Sequence, residues 1–214
     1  MSRCGMARRT TTSYALLGLL ALRSWTTYEL AKQAQRSLNW FWPRAERKLY
    51  DEPKRLVDAG LATARTETTG RRPRTIYTIT ASGRRELAGW LDEPAVPWAM
   101  EFEALVKVFF ADAGDLTQLQ DTLERIETQA SERIQALAEM AGQPPMFPER
   151  EHLSALTLPL QVQQEVTVLE WAQWARDQVQ EWRSTTDPGG WDARAVLAGL
   201  AAEPTNRPQR GPRR

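Results

Sequence analysis

Leu61-Ala62-Thr63-Ala64-Arg65-Thr66-Glu67-Thr68-Thr69-Gly70-Arg71-Arg72-Pro73-Arg74-Thr75-Ile76-Tyr77-Thr78-Ile79-Thr80 is where the chain changes its hydrophobic period. Leu61–Glu67 and Arg74–Thr80 are rich in Thr, Ile and Tyr and predict two strands. Thr68-Thr69-Gly70-Arg71-Arg72-Pro73 between them predicts the turn, and with Arg74 it carries three arginines. The result is a basic hairpin.

Upstream the period is helical. Thr11, Thr12 or Ser13 can cap a first helix to about Leu22, apolar nearly all round and therefore buried. Thr26-Thr27-Tyr28-Glu29 reads as a capping box, with Thr26 as N-cap. It starts a second helix through about Leu38 that aligns Leu30, Ala31, Ala34 and Leu38 on one face. Pro43 suits the first turn of a third helix, which turns Leu49, Leu56 and Val57 inward and stops at Gly60. Pro53 inside it predicts a bend. Downstream, Thr80 can cap a fourth helix over about Ala81–Leu91. Three helices, two strands and a helix make a winged helix-turn-helix.

Charge divides the 214 residues in the same place. Residues 1–93 hold 17 Lys and Arg against 9 Asp and Glu, and residues 94–187 hold 6 against 16. A basic first part joined to an acidic middle predicts that the first part meets a polyanion. The formal net charge of +1 hides this division. One cysteine, Cys4, excludes an intramolecular disulfide, and with the one histidine, His152, it cannot build a Cys- or His-rich zinc site. No metal site and no cofactor is expected. No apolar run reaches the ~18 residues of a membrane span. Arg8-Arg9 before Tyr14–Leu22 could open a short export signal, but Arg23-Ser24-Trp25 follows without a small-residue cleavage site. The run is read as a core helix, and the expected location is the cytoplasm.

The chemistry of such a domain is groove recognition. A helix fits the major groove, and the third helix offers Arg44, Arg47, Lys48, Lys54 and Arg55 outward. Arginine can bond a guanine edge twice, while lysine mostly meets phosphate. Arg71, Arg72 and Arg74 of the hairpin can reach a minor groove or the backbone. A solvated surface side chain is the simpler account of any one of these residues. It is weaker for the set, which falls on the two elements the fold presents to DNA.

Residues 13–91 resemble the DNA-binding domain of PadR-type transcriptional regulators. The resemblance rests on Ala15-Leu16-Leu17-Gly18-Leu19-Leu20-Ala21-Leu22, Tyr28-Glu29-Leu30-Ala31-Lys32, Leu49-Tyr50, Lys54-Arg55-Leu56, Gly60-Leu61 and Tyr77-Thr78-Ile79-Thr80-Ala81-Ser82-Gly83, with their spacing. Tyr28 and Tyr50 of these blocks join the candidate DNA-binding residues. One departure is visible: the family usually has proline directly after the Leu-Tyr pair, whereas here Asp51-Glu52 precede Pro53.

The acidic half reads as helices. Ala99–Ala111 carries Phe102, Leu105, Val106, Phe109 and Phe110, and Gly114-Asp115 breaks it. Leu116, Leu119, Leu123, Ile126, Ala130 and Leu137 then recur at near-heptad steps, which suits a coiled-coil seam or ordinary packing within one subunit. Gly142–Pro148 predicts a loop, and Leu160–Arg183 a last long helix with Val162, Val166, Leu169, Trp171 or Ala172, Val179 and Trp182 inward. In PadR-type proteins such helices form the dimer interface, so the resemblance implies a homodimer. Leu116, Leu119, Leu123, Ile126, Val166 and Leu169 are the candidate dimerisation residues. A two-fold dimer can read half-sites roughly 34 Å apart.

The expected fold is therefore mainly α. A flexible segment, 1–12, precedes a winged-helix DNA-binding domain, 13–93. A helical dimerisation and effector domain, 94–187, follows. The tail, 188–214, begins with a short helix over Trp191–Ala202 and is disordered from Glu203 on. PadR-type regulators commonly sense aromatic or lipophilic compounds. A pocket of Trp98, Phe102, Trp171 and Trp174 would suit a flat apolar effector, and core packing is the simpler account of the same four side chains.

No glycine-rich phosphate loop, nucleophile elbow or metal cluster supports an enzyme. The expected function is a dimeric DNA-binding regulator acting as a repressor on a two-fold operator in double-stranded DNA. The alternative is a winged-helix module that binds protein instead.

Overall fold

The computed structural model describes residues 9–43, 45–69 and 72–202, with the backbone alone at Thr69 and Arg72. The chain forms two compact units, Met1–Trp98 and Ala99–Arg214.

The first unit is helical with a small sheet. Helix α1 (Thr11–Leu22) takes up Thr11 and Thr12, and the Thr10 hydroxyl caps it by accepting from the Ser13 amide at 3.3 Å. Leu16, Leu17, Leu19 and Leu20 are all buried, as an all-round apolar helix requires. Helix α2 (Thr27–Leu38) begins at the expected capping box. The Glu29 amide donates to the Thr26 hydroxyl, and the Glu29 carboxylate accepts the Thr26 amide at 2.9 Å. Helix α3 (Glu46–Asp58) starts later than Pro43 suggests, because the chain first closes a turn on α2. The Phe41 and Trp42 amides donate to the Leu38 carbonyl, at 3.2 and 2.7 Å. Pro43 thus lies in the connection. Helix α3 runs on through Pro53, whose ring is buried.

Three strands, not two, complete the unit. β1 (Trp25–Thr26), β2 (Ala62–Thr69) and β3 (Arg72–Ile79) form an antiparallel sheet in the order β1-β3-β2. β1 pairs only Trp25 with Tyr77 and Thr26 with Ile76, too short a stretch to show a period. The wing is longer than the sequence suggests: Thr68 pairs with Pro73 and Thr69 with Arg72, so the strands take in residues expected in the turn. Pro73 lies beyond the reach of β1, so it has a strand on one side only, the edge setting a strand proline needs. Helix α4 (Ala81–Leu91) closes the unit, capped by Thr80 as expected. Its Trp90 ring stacks on Tyr14 of α1, with centroids 4.8 Å apart. Burial, then the Glu86 carboxylate that its hydroxyl meets, holds the Tyr14 phenol above its ordinary range, so it stays a donor.

The second unit is helical. Helix α5 (Glu103–Phe109) is shorter than the apolar run from Ala99, and Phe109 and Phe110 at its end are exposed. Helix α6 (Leu116–Gly142) opens on a capping box between Asp115 and Gln118. Helix α7 (Glu151–Val179) starts well before Leu160 and ends before Arg183, and it continues through Pro159. Arg133 meets Glu165 at 2.6 Å and Arg176 meets Glu127 at 2.9 Å, so α6 and α7 run antiparallel. Beyond α7, Trp191 leans on Trp182 and donates to Gln178 at 3.0 Å, and α8 (Ala193–Ala202) follows. Cys4 and the tail expected from Glu203 lie outside the described residues.

Candidate nucleic-acid interface

Helix α3 has two unlike faces. Leu49, Glu52, Pro53 and Leu56 turn inward, and Arg47, Lys48, Lys54 and Arg55 are exposed. Tyr50 is half-buried at the border, and Arg44 lies outside the described residues. Glu52 is a charged residue on the buried face. It accepts a short hydrogen bond from the Ser13 hydroxyl of α1, and Arg55 lies 3.6 Å from its other oxygen. A carboxylate can sit there because both oxygens are answered.

The C-terminus of α3 is a Schellman cap. Gly60, at φ 71°, donates to Val57 at 2.8 Å, and Leu61 donates to Leu56 at 2.9 Å. Both leucines are buried, which supplies the usual apolar contact. The chain turns from the helix straight into β2, so α3 and the wing are fixed to each other.

The wing holds Arg74 exposed on β3; Arg72 opens the strand, and Arg71 lies outside the described residues. Arg65 on β2 is paired with Glu67 at 2.6 Å. At the start of α2, Tyr28 is 61% exposed and the Lys32 ammonium lies 5.7 Å from its ring centre. The Arg23 guanidinium carbon lies over the Trp25 ring, 3.8 Å from its centre. Sequence reasoning did not single out Lys32 and Arg23 as site residues. Lys32 was legible as one helical turn beyond Tyr28, whereas the Arg23–Trp25 contact needed β1 in place.

Glu29 is the acidic residue among these cations. Hydrogen bonds from the Thr26 amide and hydroxyl, then Arg23 and Arg74, hold its carboxyl below the ordinary glutamate value. It remains ionised and caps α2. The surface therefore offers separated cations on α2, α3 and β3 around a rigid helix end, a pattern suited to phosphates flanking a groove.

The other predicted residues fall in the second unit, apart from Trp98. Leu119, Leu123 and Ile126 are buried against Ala172 and Val179 of the same chain, and Leu116 packs beside them half-buried. This stripe is core of the protomer and not an open seam, because α7 already covers it. Val166 and Leu169 are half-buried on α7. Phe102 and Trp171 each pack against that core, and Trp174 is half-buried. Trp98 belongs to the first unit and is 74% exposed. His152 is exposed at the start of α7. Among the described residues no group of His, Cys, Asp and Glu could hold a metal ion, and no helix is long and apolar enough to cross a membrane.

Known proteins agree with this arrangement. Residues 16–89 match the transcriptional regulator PadR-like family, and residues 102–180 match the C-terminal domain described as virulence activator alpha. The negative transcriptional regulator PadR of Bacillus subtilis is 31% identical over 161 residues, covering 69% of this chain and 87% of that protein. Two crystal structures of Bacillus subtilis PadR share the fold at 24% identity. The complex with operator DNA has a TM-score of 0.67 and covers 79% of this chain and 99% of that one. The complex with p-coumaric acid has a TM-score of 0.63 and covers 80% and 100%. With its winged helix, its helical C-terminal region and this relative, the chain belongs to the PadR-like family of transcriptional regulators.

Proposed function

We propose that the protein is a dimeric repressor that reads a two-fold operator with α3 and the wing and is released by a small aromatic or lipophilic ligand. The observation that carries the reading is the exposed cationic set, Arg47, Lys48, Lys54 and Arg74, held on the helix and hairpin that a winged helix lays on DNA. Arg44, Arg71 and Arg72 belong to the same proposed contact by position in the sequence. Tyr28 and Tyr50 flank it. The acidic second half keeps the remainder of the molecule off the phosphates.

Repression is supported by the relative in Bacillus subtilis, a negative regulator. The ligand class is supported by that protein's complex with p-coumaric acid and by Phe102, Trp171 and Trp174 in the second unit. The dimer is supported by apolar side chains that the protomer leaves exposed, Phe109 and Phe110 on one side and Leu156 and Leu160 on α7. Val166 and Leu169 belong to the same proposed contact. The reading places the protein with the DNA, in the cytoplasm, and gives it no catalytic step.

The test is fluorescence anisotropy on labelled DNA from upstream of the protein's own gene, with unrelated DNA as competitor, over a range of salt. Binding that survives competitor and weakens steeply with salt is expected. Neutralising Arg47 with Arg71 and Arg72 should lower both the affinity and the salt slope. Folded protein with no DNA affinity at low salt would overturn the reading in favour of a protein-binding module.

A further inference from the structure

Helix α3 carries acid as well as base on its most outward line. Successive residues turn by about 100°, so Arg47, Asp51, Lys54 and Asp58 follow one another opposite Leu49, Glu52, Pro53 and Leu56. Asp51 lies mid-helix, where the chain carries Asp51-Glu52 directly after Leu49-Tyr50. Its carboxylate is about half exposed and lies 3.7 Å from the Arg47 Nε, itself 93% exposed. Among the described residues Asp51 makes no cap and answers no buried donor, and an exposed pair one helical turn apart adds little stability.

A carboxylate aimed at a groove is repelled by the phosphates on both sides. It helps binding only where a base offers it a donor. In the major groove cytosine does so through its N4 amino group, and guanine offers the acceptors that arginine reads. We propose that Asp51 is a specificity-determining residue that accepts a hydrogen bond from a cytosine amino group about two base pairs from the guanine read by Arg47. The two side chains leave the helix about 6 Å apart along its axis, close to two base-pair steps. Their weak mutual pair gives way to the two bases, and on other sequences the carboxylate cancels the attraction of Arg47 for the phosphates. The inference rests on α3 being the recognition helix.

The test is selection of bound sequences from a randomised duplex library by the full-length protein, compared with Asp51→Ala, Asp51→Asn and Arg47→Ala. Circular dichroism melts check that each variant folds. The unmodified protein should select cytosine at one position of each half-site, about two base pairs from a guanine whose selection Arg47→Ala abolishes. Asp51→Ala should lose the cytosine preference, roughly tenfold, while binding unrelated DNA at least as tightly. Asp51→Asn, nearly the same size, should move the preference toward adenine, whose edge an amide matches. An Asp51→Ala profile identical to the unmodified one overturns the proposal and leaves DNA binding intact. No selected sequence from the unmodified protein overturns the recognition-helix reading along with it.

Discussion

Gly83 of α4 is pressed against the Leu61 carbonyl with no room for a β-carbon between them. The cause is a knot of hydrogen bonds where three elements meet. The Thr80 amide donates to Leu61 at 3.0 Å, the Thr80 hydroxyl donates to Gly60 at 2.8 Å, and the Gly83 amide donates back to that hydroxyl at 3.0 Å. The end of α3, the end of β3 and the start of α4 are thereby locked. A β-carbon at Gly83 would collide with backbone and would also come within 2.8 Å of the Ile79 Cγ1. Gly83→Ala should therefore destabilise the protein by about 1–3 kcal/mol in urea unfolding. Gly89, in the same helix, meets nothing within 4 Å, so Gly89→Ala should stabilise by up to about 1 kcal/mol. Opposite signs from the same substitution in one helix check the geometry directly.

The Ser13–Glu52 hydrogen bond joins α1 to α3 beneath the cationic face. Ser13→Ala leaves a buried carboxylate oxygen without its donor and should cost about 1–3 kcal/mol. Adding Glu52→Ala removes the orphaned charge. The double variant should therefore be less destabilised than the sum of the two single ones, as read from a denaturant double-mutant cycle. Additive losses would mean that the two side chains do not depend on each other.

Local chemistry was legible in the sequence, and long-range pairing was not. Thr26 with Glu29, Gly60 and Thr80 each announce a cap by residue type and spacing, and each is where the sequence reading puts it. β1 escaped because two residues have no period; its strand character comes wholly from Tyr77 and Ile76 across the sheet. Glu52 reads as one more surface acid until Ser13 meets it from a distant helix. Near-heptad spacing in α6 marked Leu119, Leu123 and Ile126 as buried, but periodicity does not say by which chain, and α7 answers that. The first part of α7 was not legible, because residues 151–160 are almost wholly exposed and show no buried stripe, although the helix runs through them and through Pro159. At the candidate interface the cations were legible as a set. The Arg47–Asp51 pair lay unremarked within the same stretch.

Acid should act on the α2 cap. The folded Glu29 carboxyl titrates below the ordinary 4.5 because Thr26 donates to its charged form. A depressed folded value means that Glu29 stabilises the protein above about pH 4.5 and loses that contribution as the pH falls toward the folded value. Glu29→Gln can keep the capping geometry but cannot ionise. It should be less stable than the unmodified protein at pH 7 by under about 1 kcal/mol, since the side chain is 45% exposed and solvent screens it. That difference should shrink in thermal melts as the pH falls below about 4.5. A gap that does not shrink would mean that packing, not charge, sets it.

Two classes of apolar side chain in the second unit should answer differently to substitution. Leu123 is fully buried on Ala172 and Val179, so Leu123→Ala opens a cavity and should cost about 2–5 kcal/mol. Phe109 and Leu156 are 77% and 75% exposed and pack little within the protomer. Removing them forfeits almost no burial in one chain, whereas a charge placed there is costly in any interface that excludes water. On the proposed dimeric reading, Phe109→Asp with Leu156→Asp should therefore leave the helix content unchanged by circular dichroism and shift the sedimentation coefficient from dimer to monomer. Because two half-sites are read together only by a dimer, operator affinity should fall at least tenfold in that variant while the cationic face stays intact. An unaltered dimer would assign subunit contact to another face of the second unit, and loss of helix content would show that these side chains belong to the protomer's own packing.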